Sequence, residues 1–176
     1  WFALRPRSAV GRVGTGTTDE NLLTSLPMST VKQPPITANT LTIIRQEEGL
    51  RLTPYRDGDG YSIGYGHYLG TKAPAPGTRI TTAQAEAYLM QDATEAADFI
   101  RKYVRVPLGQ NQFDALVSFV FNVGAPAFVR STMLKRLNEK NFPAASEQFR
   151  RWVYQGSTVL QALVTRRARE KTLFLA

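Results

Sequence analysis

The chain has 176 residues, 43% of them hydrophobic and 20% charged, which suits one globular domain with a real core and is short for two. It contains no cysteine and one histidine, His67, so disulfides, thiol nucleophiles and Cys-ligated zinc are excluded and a His-based metal site lacks partners; neither metal nor cofactor is expected. A net charge of +8 and a pI near 10.0 favour anionic partners such as nucleic acid, acidic lipid or an anionic wall polymer, without choosing among them.

The chain opens on Trp1 rather than Met, so a preceding export or anchor segment is an open expectation. Trp1-Phe2-Ala3-Leu4 with Arg5 and Arg7 could flank such an anchor, but no apolar run is long enough to span a membrane. Residues 1–37 read as a linker or N-terminal arm, because Gly11, Gly14, Gly16 and Pro34-Pro35 interrupt any periodicity. Within them Leu22, Leu23 and Leu26 form a short apolar stretch able to dock on the domain.

The domain is expected over 38–176. Asn39 or Thr40 can cap a helix carrying Leu41, Ile43 and Ile44, which stops at Gly49. From Tyr55 to Gly66, aromatic and β-branched residues alternate with glycines, the pattern of a small antiparallel sheet with tight turns. Thr81 and Gln84 resemble a capping box, followed by Ala85, Leu89, Ala93, Ala96, Ile100 and Tyr103 at helical spacing; this helix ends before Pro107. Gln110 to Val123 is apolar on nearly every face and predicts a helix buried all round. Ser131 can cap a short helix with Leu134 and Leu137, Pro143 suits the first turn of another carrying Phe149 and Trp152, and a last helix is expected after Thr165 with Leu173 and Phe174. The fold class is therefore α+β and predominantly α: a small antiparallel sheet lobe, a helical lobe, and a cleft between them.

Chemistry concentrates between Glu48 and His67. Glu48 ends the first helix, where the partial negative charge of the helix terminus disfavours an ionised carboxylate. Burial acts in the same direction, and a carboxyl held neutral can donate a proton to a glycosidic oxygen. Asp57 follows in a glycine-rich hairpin, and Ser62 on the next strand could hold a water or orient Asp57. One acid and one carboxylate facing a cleft are the minimum for glycoside hydrolysis. On spacing alone, a surface Glu and a turn Asp are the weightier reading.

Further motifs shift that balance. Glu48-Gly49, then Tyr55-Arg56-Asp57, then Gly60-Tyr61-Ser62-Ile63-Gly64-Tyr65-Gly66-His67 resemble the catalytic motif of the family 24 glycoside hydrolases, the phage-type lysozymes. The segments Arg105 to Phe119, Phe121-Asn122-Val123-Gly124, Ser131-Thr132-Met133-Leu134 and Arg166-Arg167-Ala168-Arg169-Glu170 are similar to those enzymes too, collinearly over about residues 38–176. The resemblance implies a lysozyme-like fold and a muramidase, with Glu48 as acid, Asp57 as second carboxylate and an inverting displacement by water. It places substrate contacts at Tyr68, Phe121, Asn122, Ser131 and Ser146, and pairs Glu48 with an unspecified arginine of 166–169. Two departures stand out: Ser62 replaces the family's threonine, and the loop from Asp57 to this hydroxyl is one residue shorter. A lytic transglycosylase using Glu48 alone and a non-catalytic wall-binding domain stay open as alternatives.

The remaining motifs read as structure. His67 is expected to hold local structure through a hydrogen bond or ion pair. Asp57-Gly58-Asp59-Gly60 lacks the later ligands of a calcium loop and reads as a turn. Arg150-Arg151 and Arg166-Arg167-Arg169 read as solvated basic faces. The expected partner is bacterial peptidoglycan, met by a monomer in the periplasm or cell wall, with electrostatic contact to the anionic envelope and no nucleic acid.

Overall fold

Thr37, not Asn39 or Thr40, starts the first helix. Its hydroxyl accepts from the backbone N–H of Thr40, and the Thr40 hydroxyl accepts from the Thr37 N–H at 3.0 Å, a reciprocal capping box that opens α1 (Ala38–Glu48). The computed structural model describes residues 29–176. Trp1 to Arg7 and the Leu22, Leu23 and Leu26 stretch lie outside the described residues. Where the expected arm is described, it is docked. Gln33 is buried, its amide donating to the carbonyls of Val104 and Val106 while its oxygen accepts from the Leu108 N–H.

Gly49 ends α1 at φ 65°, a conformation that favours glycine, and the chain turns straight into a sheet. Strands β1 (Arg51–Asp57), β2 (Gly60–Gly64) and β3 (His67–Gly70) run antiparallel in that order. The sheet has two unlike faces. Residues Tyr55, Asp57, Ser62 and Tyr68 share one, because Ser62 pairs with Tyr55 on one side and Tyr68 on the other. Ile63 and His67, paired across β2 and β3, occupy the opposite face.

That opposite face docks on α2 (Thr82–Tyr103), which opens with the expected Thr81–Gln84 capping box. The His67 ring stacks on Tyr88 at 4.1 Å and its Nδ1 lies 3.1 Å from Asp92 Oδ1. Arg45 of α1 grips the Glu86 carboxylate with two nitrogens, and Tyr65 donates to the same group at 2.9 Å. The arginine's hydrogen bonds hold the Glu86 carboxyl below the usual carboxylate range.

The spine of the helical lobe is α3 (Gln110–Val123), buried at every position from Phe113 to Val123. Around it pack α4 (Ala125–Val129), α5 (Thr132–Asn138), α6 (Phe142–Ser146) and α7 (Gln161–Leu175). Ser131 caps α5 as expected, accepting from the Leu134 N–H. The helix begun near Pro143 does not reach Phe149. The Ser146 hydroxyl bonds back to the Pro143 carbonyl at 2.8 Å, and the chain continues as a 3-10 turn, Phe149–Arg151. A two-stranded ribbon follows, β4 (Tyr154–Gln155) and β5 (Thr158–Val159), which the sequence pattern did not suggest. The last helix starts at Gln161 rather than after Thr165. Phe119 gathers Phe128, Phe149 and Trp152 edge-on, and Phe174 closes against Phe149. No helix among the described residues is long and apolar enough to cross a membrane.

Asp114 ties α1 to α3 from a fully buried position. Its carboxylate accepts from the Thr40 hydroxyl at 2.6 Å, from Gln110 at 2.8 Å and from Asn39 at 3.1 Å. Replacing Asp114 with Ala removes the acceptor shared by Thr40, Gln110 and Asn39 and should lower the urea-derived unfolding free energy by about 3 kcal/mol. A loss below about 1 kcal/mol would mean that the contact is peripheral to the fold.

Candidate active site

Glu48 lies where the sheet meets the helical body. Its side chain is 9% exposed and belongs to the last residue of α1, one position before the turn at Gly49. The guanidinium of Arg166, from α7, donates to Glu48 Oε1 at 2.7 Å. Glu48 Oε2 looks toward the turn between β2 and β3, and a methyl group on Gly66 would come within 3.6 Å of it and 3.8 Å of the Tyr55 hydroxyl. One carboxylate oxygen is thus fixed by a cation, and the other faces the sheet.

Asp57 stands at the end of β1. The two-residue turn Gly58-Asp59 returns the chain so that Asp57 pairs with Gly60, with Gly58 at φ 62°. This puts Ser62 diagonally across on the same face, and its hydroxyl donates to Asp57 Oδ2 at 2.7 Å. The short loop and the serine therefore still bring a hydroxyl onto the carboxylate. Gly60 is required here, since a Cβ would stand 2.5 Å from both the Tyr68 ring and the Gly70 carbonyl. Tyr68 hydrogen-bonds Asp59; burial and the nearby Asp59 and Asp57 carboxylates raise its phenol above the ordinary tyrosine range.

Behind Glu48 the helices enclose a charge cluster. Arg166 Nε donates to Glu170 Oε1 at 3.0 Å, and its Nη2 donates to the Ser118 carbonyl at 3.0 Å. The Ser118 hydroxyl donates to Glu170 Oε1 at 2.8 Å. Arg167 Nη1 donates to Glu170 Oε2, its Nη2 to Asn122 Oδ1 and its Nε to the Trp152 carbonyl at 3.2 Å. Arg167 also lies over the Phe119 ring at 4.9 Å. Burial works against the charge on Arg166, but Glu48 and Glu170 prevail and hold its guanidinium firmly protonated. Burial lowers Arg167 from the ordinary arginine value despite Glu170.

A sequence profile of the family described as Phage lysozyme matches residues 45–170, a span that holds all of these groups. The chain belongs to the phage lysozyme family. The endolysin of Salmonella phage P22 is 42% identical over 144 residues, covering 80% of this chain and 98% of that protein. The endolysin of Bacillus phage PZA is 44% identical over 137 residues, covering 76% of this chain and 52% of the longer phage protein. The muramidase domain of SpmX from Asticaccaulis excentricus superposes with a TM-score of 0.73 at 38% identity, over 81% of this chain and 98% of that one. The lysozyme-like α+β fold expected from the sequence is the fold found.

Other positions inferred from the phage lysozyme resemblance are more dispersed. Phe121 is 3% exposed and Asn122 1%, the latter engaged by Arg167. Ser146 is 2% exposed, with its hydroxyl given to Pro143. Ser131 is half-buried on the lining of a concavity of about 320 Å³ that also holds Arg105, Arg130, Thr132, Lys135 and Asn138 and no carboxylate. His67 is engaged by Asp92 and Tyr88 on the sheet's far face.

The arginine run needs correction. Arg166 and Arg167 are buried, not part of a solvated face, and of the cluster it is Arg166 that pairs with Glu48 while Arg169 pairs with Glu47 at 3.1 Å. Glu170 and Ser118 escaped the sequence reading. Arg166 and Arg167 stand four and three residues before Glu170, the helical spacing for ion pairs, and that spacing was the available signal.

Proposed function

We propose that the protein is a muramidase that hydrolyses the β-1,4 bond between N-acetylmuramic acid and N-acetylglucosamine in bacterial peptidoglycan. The observation that carries this reading is the carboxyl of Glu48, held through one oxygen by Arg166 with its other oxygen toward the sheet face that bears Asp57 and Ser62. Family membership and the endolysin and muramidase relatives support the same reaction. Glu48 protonates the glycosidic oxygen of the leaving sugar. Asp57 accepts a proton from a water on the far side of the ring, and the Ser62 hydroxyl fixes the carboxylate for that task. The anomeric centre inverts. Tyr68, Phe121, Asn122, Ser131 and Ser146 serve the glycan, the buried ones by shaping the groove from behind.

The enzyme acts as a monomer at the cell wall during phage-type host lysis. Arg105, Arg130 and Lys135, gathered in the concavity beside Ser131, provide the electrostatic contact with the anionic envelope. None of the three forms an ion pair among the described residues.

Glu48→Gln should abolish digestion of purified peptidoglycan while preserving the circular dichroism spectrum, and Asp57→Asn should reduce it severely. Mass analysis of wild-type fragments should show reducing N-acetylmuramic ends, whereas 1,6-anhydro ends would overturn hydrolysis in favour of transglycosylation. Reversing two charges, Arg105→Glu with Lys135→Glu, should weaken binding to isolated sacculi roughly threefold or more at low salt and much less at high salt. Unchanged binding of this variant at low salt would move the envelope contact elsewhere on the surface.

A further inference from the structure

Arg166 presents three nitrogens and each is spoken for: Nη1 by Glu48, Nε by Glu170 and Nη2 by Ser118. A guanidinium offered a single carboxylate closes on it with two parallel bonds. Here the edge that meets Glu48 is formed by Nη1 and Nη2, and Nη2 is given to the Ser118 carbonyl, so Glu48 is held by one bond through Oε1; Glu170 on Nε holds the guanidinium in that orientation. Glu170 is in turn fixed by the Ser118 hydroxyl on α3 and by Arg167, which is itself anchored to Asn122 and the Trp152 carbonyl. The Glu170 side chain is 1% exposed.

We infer that Glu170 is a positioning residue for the glycosidase reaction: by holding Arg166 Nε it fixes the guanidinium with Nη2 on the Ser118 carbonyl, so that Nη1 alone meets Glu48 and the acid is held through one oxygen. This rests on Glu48 being the proton donor. Among the described residues, the charged groups around Glu48 include Arg166, Arg167 and Glu170 from α7, with Glu47 and Arg169 beside them, and Tyr55 from β1 faces Oε2. From α3 come only the neutral side chains of Ser118 and Asn122. Taking the negative charge off Glu170 leaves Arg166 uncompensated except by Glu48, which favours the ionised acid. The alkaline limb of the pH–rate profile, where the acid loses its proton, then moves to lower pH.

The test is Glu170→Met, assayed on soluble peptidoglycan fragments across pH. The expected result is a kcat lowered roughly tenfold or more with KM within about twofold, and an alkaline limb displaced acidward by about half a pH unit. Because this variant buries an excess positive charge and can fail to fold, the charge-balanced pair Glu170→Met with Arg167→Met is made alongside it. A merely structural Glu170 predicts that the folded pair regains wild-type kcat; a positioning Glu170 predicts that kcat stays low, since Arg166 Nε then has no acceptor at position 170. Ser118→Ala, which removes one anchor of Glu170 at constant charge, should lower kcat in the same direction by a smaller factor. A folded pair with kcat within about twofold of wild type overturns the inference. A wild-type protein that fails to cleave peptidoglycan, or a Glu48→Gln variant that still cleaves it, overturns the muramidase reading instead.

Discussion

Four charged side chains share the interior between the C-terminal helix and the end of the first: Glu48, Arg166, Arg167 and Glu170, with side-chain exposures of 9%, 5%, 1% and 1%. Removing such ions from water costs several kcal/mol apiece, roughly, and their attraction offsets this only when the remaining donors and acceptors are also satisfied. Here they are. Serine hydroxyl, backbone carbonyls and an asparagine oxygen take up what the ion pairs leave over. The cluster is electrically balanced, so its worth lies less in net stability than in fixing one arrangement. It joins α1 to α7 across 118 residues of sequence at the carboxyl proposed as the acid.

The sheet lies beside that junction. Its far face is anchored to α2 through His67, Asp92, Tyr88 and the Tyr65–Glu86–Arg45 group, which fixes how the strands lie against α1. The strict alternation of strand side chains then leaves Tyr55, Asp57, Ser62 and Tyr68 on the other face. A shortened hairpin is tolerated because the pairing of Asp57 with Gly60 sets Ser62 on the correct diagonal whatever the family's usual loop length. Threonine is not needed for that bond; a hydroxyl is.

Much of this was legible in the residues alone. Local signals read correctly: the Thr81–Gln84 box, the Gly49 stop, the Ser131 cap and the all-round apolar run of α3. Errors arose where a local signal was ambiguous or missing. Three candidate caps lie between Thr37 and Thr40, and only the reciprocal bond between the two threonines decides which begins the helix. Leu160 precedes α7 with no side-chain cap, so nothing marked the helix start. Ser146 bends its chain by a back-bond that a helical pattern does not reveal. The arginine run was misread for a different reason: charge is normally a surface property, and burial of Arg166 and Arg167 follows from partners on α1 and α3 far away in sequence. Glu48 and Asp57 could be chosen only through the family motif, since their spacing alone is commonplace.

The central claim is that Glu48 and Arg166 act on each other directly across the junction. A double-mutant cycle on unfolding free energy, built from Glu48→Gln, Arg166→Gln and the double variant, measures that coupling with the rest of the fold cancelled. A coupling of about 2 kcal/mol is predicted for this buried pair. Additive effects, within about 0.3 kcal/mol, would contradict the account and leave the acid's position to be explained by something other than its arginine.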